Sequence, residues 1–462
     1  KVKIYINGVQ QTSFAIDNTF ANVNSYINGT SSTHYIGRNR AGSSLLDGYL
    51  AEVNFIDGTQ LTPSSFGETK EGIWVPKDPT GLTYGTNGFR LPFTETTTAN
   101  GFNTVTYSGN GATQSVEGVG FSPDLVWVKE RTSTSSNVWT DSVRGATKIL
   151  VSNSTGVEAS SSTYLTSFNS DGFSVGTSGA FNASTDDYVA WCWGGGTNDK
   201  TYTVTVVDDS GNKYRFDGHG TSSIALNLTE GATYTFNYPS AHPLRFSTTS
   251  DGTHGGGSEY TTGVTHVSDT QTTFTVPSGA PVLYYYCSIH SGMGGQVNTN
   301  TTDGPTHAEG TILSRTKPNV DYGFSIVSYT GDGTSNNARI AHGLNSAPEM
   351  IIAKKRSGTS NWWVYHKDLN GGTDPYHYYL LLNSTDAEGD RSGSTNKVWG
   401  TSNPDADTFG GGLFGPNGSG TKIAYCFHSV DGYSKVASYT GNGSATGPTV
   451  ELGFRPAFLF VK

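Results

Sequence analysis

Four residues near the middle of the chain have the types and spacing of a metal site. Cys287, His290 and Met293 follow one another at intervals of three in Cys287-Ser288-Ile289-His290-Ser291-Gly292-Met293-Gly294-Gly295. This run leaves a strand-like stretch, Val282-Leu283-Tyr284-Tyr285-Tyr286, and its glycines permit a tight curl. A loop of this kind can turn a thiolate, an imidazole and a thioether toward one point. His242, in Ala241-His242-Pro243-Leu244-Arg245-Phe246, offers a second imidazole from another strand. Two His and one Cys with a weakly held Met form the blue-copper donor set, and soft sulfur favours copper over Mg²⁺ or Ca²⁺. Tetrahedral zinc also takes Cys and His but gives the Met no part. The competing reading is a loop that packs without metal. His219, His254 and His266 are spare histidines, expected at the surface.

The elements that must position these ligands are strands. Tyr202, Val204 and Val206 alternate with polar residues, as do Ile224, Leu226 and Leu228, and then Tyr234, Phe236 and Tyr238. A period of two is the mark of half-buried β-structure. With the His242 strand and the Cys-x-x-His-x-x-Met loop, residues 201–299 resemble a cupredoxin. The resemblance implies a Greek-key β-sandwich with a type 1-like copper. It gives His242 the upstream imidazole, Cys287 the thiolate, His290 the second imidazole and Met293 the axial thioether. Cupredoxins mostly transfer electrons and lack a substrate pocket. A bound ion also holds a small module together, because binding free energy adds to folding.

This module interrupts a repeat. Gly101-Phe102-Asn103-Thr104-Val105-Thr106-Tyr107-Ser108-Gly109-Asn110-Gly111 returns as the run from Gly323 to Gly333, and again from Val436 to Gly443. Each reads as a strand entering a Gly-Asn/Asp-Gly turn. Ser122-Pro123-Asp124-Leu125-Val126-Trp127-Val128-Lys129 matches the runs Ala347–Lys354 and Arg455–Lys462. Leu150–Thr155 with Glu158 matches Leu381–Thr385 with Glu388, and Val189–Trp193 matches Ile423–Phe427. Tyr439 lies 110 residues beyond Tyr329, whereas Tyr329 lies 222 beyond Tyr107, so foreign sequence separates the first two copies. Cys192 and Cys426 fall between aromatics in short apolar strands and read as buried thiols. Thr155-x-x-Glu158 and Thr385-x-x-Glu388 fit either a capping box or turn chemistry.

Composition agrees with an all-β chain. There are 60 Gly, 25 Tyr and 22 Phe, and only 14% charged residues, against about 25% in ordinary soluble domains. Three cysteines make no disulfide framework. The net charge is −10 with no Lys/Arg cluster, which speaks against a nucleic-acid partner. No apolar run approaches a membrane span, so membrane insertion is not expected. The chain begins without Met inside one strand-like run and stops inside another, so a piece of a longer polypeptide is expected.

Near the start, Lys3-Ile4-Tyr5-Ile6-Asn7-Gly8-Val9 precedes Tyr35-Ile36-Gly37-Arg38 and the alternating Leu46–Gly58 run. This order resembles the second half of a laminin-G-like, concanavalin A-like jelly roll. Such folds often bind glycans or Ca²⁺, but no residue here carries over a contact to either. The expected fold is therefore all-β, a series of β-sandwich modules. These are a partial jelly roll (1–75), a linker (76–100), a first β-repeat (101–196), the cupredoxin-like module (201–299), a linker (300–322), a second repeat (323–430) and the start of a third (432–462).

The run Gly120–Lys129 and the later Trp191-Cys192-Trp193 resemble a repeat in tail-fibre-like structural proteins of marine tailed phages. Those proteins also carry laminin-G-like and cupredoxin-like modules. The resemblance implies a virion protein of host adsorption, homotrimeric, touching other virion proteins and a host-surface glycan or receptor. The alternatives are a secreted bacterial glycan-binding adhesin and an extracellular copper redox protein. Catalysis is not expected. Asp186-Asp187, Asp386 with Glu388, and Asp405 with Asp407 lie among turn residues, and no nucleophile elbow, HExxH or P-loop occurs. Trp362-Trp363 and Tyr376-His377-Tyr378-Tyr379 are the aromatics best suited to stack on sugar, but Trp139 aligns with Trp363, which suggests a shared core position.

Overall fold

A computed structural model describes residues 3–13, 36, 53–70, 73–77, 81–91 and 101–462. The chain divides into two units, Lys1–Thr98 and Ala99–Lys462.

In the first unit, β1 (Ile4–Ile6) and β2 (Val9–Gln11) form a hairpin. Its turn is Asn7-Gly8, both at positive φ (50° and 77°), as a two-residue hairpin loop requires. β3 (Val53–Phe55) pairs with a distant strand, and β4 (Gly67–Lys70) pairs with β5 (Ile73–Pro76). The partner of β3 is β6 (Phe89–Leu91), and the Phe55 and Phe89 rings stack at 5.6 Å. Part of the stretch expected as a linker is therefore sheet. Gly37, Arg38 and residues 46–52, which carry much of the jelly-roll likeness, lie outside the described residues.

The second unit opens with the first repeat: β7 (Phe102–Ser108), β8 (Gln114–Glu117), β9 (Leu125–Glu130), β10 (Val138–Asp141), β11 (Lys148–Val151), β12 (Ala159–Ser160), β13 (Leu165–Asn169), β14 (Gly172–Val175), the single-turn helix α1 (Gly179–Asn182) and β15 (Asp187–Trp193). A large antiparallel sheet runs β12-β11-β10-β9-β15-β7, and a small one runs β13-β14-β8. Val126, Val128, Ala190 and Cys192 point from the large sheet to Phe173 and Val175 of the small one. Thr155–Glu158 holds no helix, so the turn alternative stands.

The inserted module follows: β16 (Lys200–Asp208), β17 (Asn212–Phe216), β18 (Leu226–Asn227), β19 (Thr233–Asn237), β20 (Leu244–Ser247), β21 (Val264–Ser268), β22 (Gln271–Thr275), β23 (Leu283–Cys287) and β24 (Gly295–Asn298). They form two sheets, ordered β17-β16-β19-β22-β21 and β18-β24-β23-β20. Two pairs are parallel, β16 with β19 and β18 with β24, so the chain crosses between sheets instead of meandering. Alternate residues of both sheets, among them Tyr202, Phe236, Phe246 and Tyr285, fill the core between them.

The second repeat comprises β25 (Thr306–His307), β26 (Ser314–Asn319), β27 (Phe324–Gly331), β28 (Ala338–Ala341), β29 (Met350–Lys355), β30 (Trp362–His366), β31 (Tyr378–Leu381), β32 (Gly389–Asp390), β33 (Thr408–Gly411) and β34 (Gly420–Phe427). Its large sheet runs β25-β26-β27-β34-β29-β30-β31-β32, and β28 pairs with β33. From β27 onward the order reproduces the first copy. The added edge strands β25 and β26 come from the 300–322 stretch, so that segment is sheet and not a free linker.

Each large sheet has a second apolar face. Trp139, Leu150 and Trp193 of the first copy pack against Phe324, Ile352, Trp362 and Tyr425 of the second in one shared core. Trp139 lies 5.4 Å from Trp362 and 4.8 Å from Tyr425, ring to ring. At its edge the buried Arg144 pairs with buried Asp141 at 2.5 Å, and the Tyr425 hydroxyl donates to the same carboxylate at 2.7 Å. Residues 432–462 form no strand beyond a single bridge, Val430 with Ser434. The strands expected at 436–440 and 458–462 are absent for a backbone reason. In both full copies the last strand, β15 or β34, lies between the first and third and bonds to each. Residues 432–462 include no counterpart of that strand.

Candidate metal centre

Cys287 ends β23, and the β20–β23 register sets it opposite Leu244. His242 precedes Leu244 by two residues, so the two donors meet at one end of the same sheet. The Ser288 amide donates to the Pro243 carbonyl at 3.0 Å and prolongs the pairing past Cys287. The chain then turns through Gly292 (φ 73°) and re-enters the sheet at Gly295, paired with Tyr285. The loop is tied down along its length. The Gly292 amide donates to Asp251 Oδ1 at 2.8 Å, the Lys213 ammonium reaches the Gly292 carbonyl, and the Tyr214 amide donates to the Met293 carbonyl at 3.1 Å.

Within this frame Cys287 Sγ lies 3.7 Å from His290 Nδ1 and 4.0 Å from His242 Nδ1. The donor atoms of His242, Cys287 and His290 all fall within 4.8 Å of one another, the one such group among the described residues. An ion about 2.3 Å from sulfur and about 2.0 Å from nitrogen at trigonal angles would hold S and N about 3.7 Å apart. The two S–N spacings thus fit a shared ion, and the imidazoles would close toward each other to complete the set. The His290 amide donates to Cys287 Sγ at 3.4 Å and ties the loop back onto the sulfur. Partial burial, and then the neighbouring His290, push His242 below the usual imidazole range, which keeps its nitrogen free of a proton at neutral pH. The His242 backbone is anchored by the Tyr214 hydroxyl, which donates to its carbonyl at 2.7 Å. Cys287 and Met293 are fully buried in the module core, His242 is half-buried and His290 is exposed. One wall of the site is therefore apolar and the other faces solvent.

The three spare histidines of the inserted module fall into two groups. His254 and His266 are exposed, and His254 Nε2 bonds the Cys287 carbonyl at 3.0 Å, which braces the ligand strand from outside. His219 is not a surface residue. It is buried, with Nδ1 at 2.9 Å from the Gly310 carbonyl. Cys192 and Cys426 are fully buried on equivalent inward positions of β15 and β34, where burial pushes both thiols far up.

The carboxylates hold turns and strand ends. Asp405 pairs with Arg339 at 2.5 Å and accepts the Thr408 amide at 2.6 Å. Glu388 accepts the Asn370 amide at 3.0 Å, and Asp187 accepts the Ser108 hydroxyl at 2.7 Å. Trp362 and Trp363 are buried and Tyr376–Tyr379 are half-buried. The alignment of Trp139 with Trp363 is off by one. Trp139 pairs with Trp127, whereas the residue opposite the equivalent Ile352 is Val364. Trp139 therefore faces the shared core, while Trp363 faces the interior of its own repeat.

One cluster had no sequence signal beyond scattered charges. Lys200 pairs with Asp217 at 3.1 Å and with Glu309, and His307 Nδ1 lies 3.3 Å from Glu309. Burial raises the Glu309 carboxyl, but His307 and Lys200 outweigh it and hold the group far below its usual range. The cluster joins the inserted module to the second repeat beside a cleft of about 810 Å³ lined by Lys200, His307, Glu309 and Asn319.

A family model described as a domain of unknown function, DUF7483, matches residues 97–233 and 297–462. The chain belongs to the DUF7483 family. The match spans both repeats and the start of the third, and it skips 234–296. All four candidate ligands lie in the skipped stretch, outside the residues that the DUF7483 model matches. No curated protein matches the chain.

Proposed function

We propose that this DUF7483 protein is a non-catalytic, tail-fibre-like segment of a tailed-phage particle, and that its inserted module is a cupredoxin-like copper-binding unit. The convergence of His242 Nδ1, Cys287 Sγ and His290 Nδ1 carries the copper reading. These residues would hold the ion, with the buried Met293 as a weak fourth donor. Bound there, copper supplies a stable cross-link between two strand ends and a one-electron redox couple. The protein's own part is to fix the imidazoles, keep His242 unprotonated and exclude water on the side of Cys287. The structural role is supported by repeats that bury their faces on one another, an arrangement suited to a rigid shaft. Such a segment would act as a homotrimer with other virion proteins and meet a host glycan or receptor.

The test adds Cu(II) to the purified chain. One equivalent should bind with intense visible absorption, and Cys287→Ser should abolish the colour. A wild-type chain that retains no metal after dialysis would falsify the copper reading. Mass spectrometry of intact particles tests the virion role, and finding the chain only free in culture fluid would contradict it. The exposure of His290 favours a second reading, electron exchange through that imidazole. Copper that cannot be reversibly reduced would remove it.

A further inference from the structure

The shared core between the repeats is sealed on one side and open on the other. In the second copy Ile352 and Tyr425 are 2% and 0% exposed. Their counterparts in the first copy, Trp127 and Trp191, are only half-buried. Residues 432–462 lie against that open side. Phe458 packs on Phe102, Trp191 and Trp193 at 5.5–5.7 Å, and both Phe458 and Phe460 meet the Trp127 ring edge-on.

We propose that the open aromatic face docks a third copy of the repeat, begun by residues 432–462, so that three sheets close around one core with an internal threefold axis. Three independent observations point there. The first is parity. Phe458 and Phe460 match Leu125 and Trp127, which face the shared core, whereas Leu459 and Val461 match Val126 and Val128, which face their own sandwich. Val126 and Val128 are fully buried beneath their small sheet, but Leu459 and Val461 are 66% and 55% exposed.

The second is a repeated contact. Lys354 of copy two donates to the Thr155 carbonyl of copy one at 3.3 Å. The matching Lys462 donates to the Ser384 carbonyl in the equivalent turn of copy two at 2.6 Å. A head-to-tail contact used twice in the same sense builds a ring when the rotation closes. The next contact in this series pairs Arg356 with Glu158 at 2.7 Å and 3.1 Å. Its counterparts are Glu388 in copy two and the exposed Arg131 in copy one, each placed to receive the third repeat.

The third is the axis itself. Where the copies begin, Gly101, Tyr322 and Tyr433 meet. A Cβ on Gly101 would stand 2.4 Å from both tyrosine side chains, and the two rings are 4.7 Å apart.

The test uses two chains. In the present chain, Phe458→Asp should release 432–462 and raise proteolysis within it by about tenfold or more, whereas Leu459→Asp should leave it unchanged. In a chain extended after Lys462 with the sequence of residues 355–427, Leu459→Asp should become as disruptive as Phe458→Asp. The wild-type extended chain should lose dye binding at the aromatic face, and at every protein concentration. Equal effects of the two substitutions in the present chain overturn the proposal. So does an extension that leaves the face open, or a present chain that covers it by self-association.

Discussion

In the inserted module nearly every large apolar side chain lies between the module's own two sheets, from Tyr202 and Phe216 on one side to Phe246 and Tyr285 on the other. In the repeats each large sheet is apolar on both faces, and the outer face is covered only by another copy. The cysteines follow the same division. Cys192 and Cys426 point into closed apolar interiors, while Cys287, equally buried, lies at a sheet end where two imidazoles reach it. The module is a closed unit with chemistry at its rim. The repeats are open units whose chemistry is mutual packing.

The sharpest way to break this contrast is to remove one region's device and watch the other. Cys287→Ser should eliminate copper binding while the repeats stay intact. With copper at a thousand times its dissociation constant, wild-type stability should rise by about 4 kcal/mol, and the variant should show none of this in thermal melts. Arg144→Ala should do the reverse. It leaves Asp141 buried and uncompensated between the copies, at a cost of about 3–5 kcal/mol, with copper absorption unchanged.

A third effect separates the two repeats. His342 is fully buried in the second copy, and its partners fix a neutral ring: Nδ1 accepts the Leu344 amide and Nε2 donates to the Asp405 carbonyl, both at 3.1 Å. Burial, with the nearby His307, lowers its pKa to about 4 against the pull of Asp405 and Glu309. A histidine depressed in the folded state stabilises above the unfolded value, about 6.5, and that stability is lost as pH falls toward the folded value. The second repeat should therefore weaken by about 3 kcal/mol between pH 6.5 and pH 4 and show no further loss from this group below that. The first repeat has no histidine and should lack this response, and His342→Gln should remove the His342 share of it in denaturation followed by pH, leaving the smaller share of the half-buried His366. The smallest change is Cys426→Ser or Cys192→Ser. Each buries a hydroxyl in an apolar strand at about 1–3 kcal/mol and should leave the metal site untouched.

The candidate ligands were legible because their spacing is local: Cys287, His290 and Met293 share one loop, and His242 lies one strand pair away. The β-class and the repeat were legible from alternation and from the Gly-Asn/Asp-Gly turns. Register was not. Trp139 and Trp363 both look like core residues, but a one-residue offset puts them on opposite faces, because side chains alternate along a strand. Edge strands were also missed. Ser314–Asn319 consists of Pro318 and five charged or polar residues, a composition that reads as linker until a neighbouring strand gives it a partner. The ion cluster of Lys200, Asp217, His307 and Glu309 could not be read at all, since its members come from separate stretches joined only by the fold.

Copper-edge X-ray absorption on the Cu(II)-loaded chain tests the central claim most directly. One short sulfur ligand and two imidazole nitrogens are expected, with the sulfur lost in Cys287→Ser. A copper shell of nitrogen and oxygen alone in the wild-type chain would contradict it.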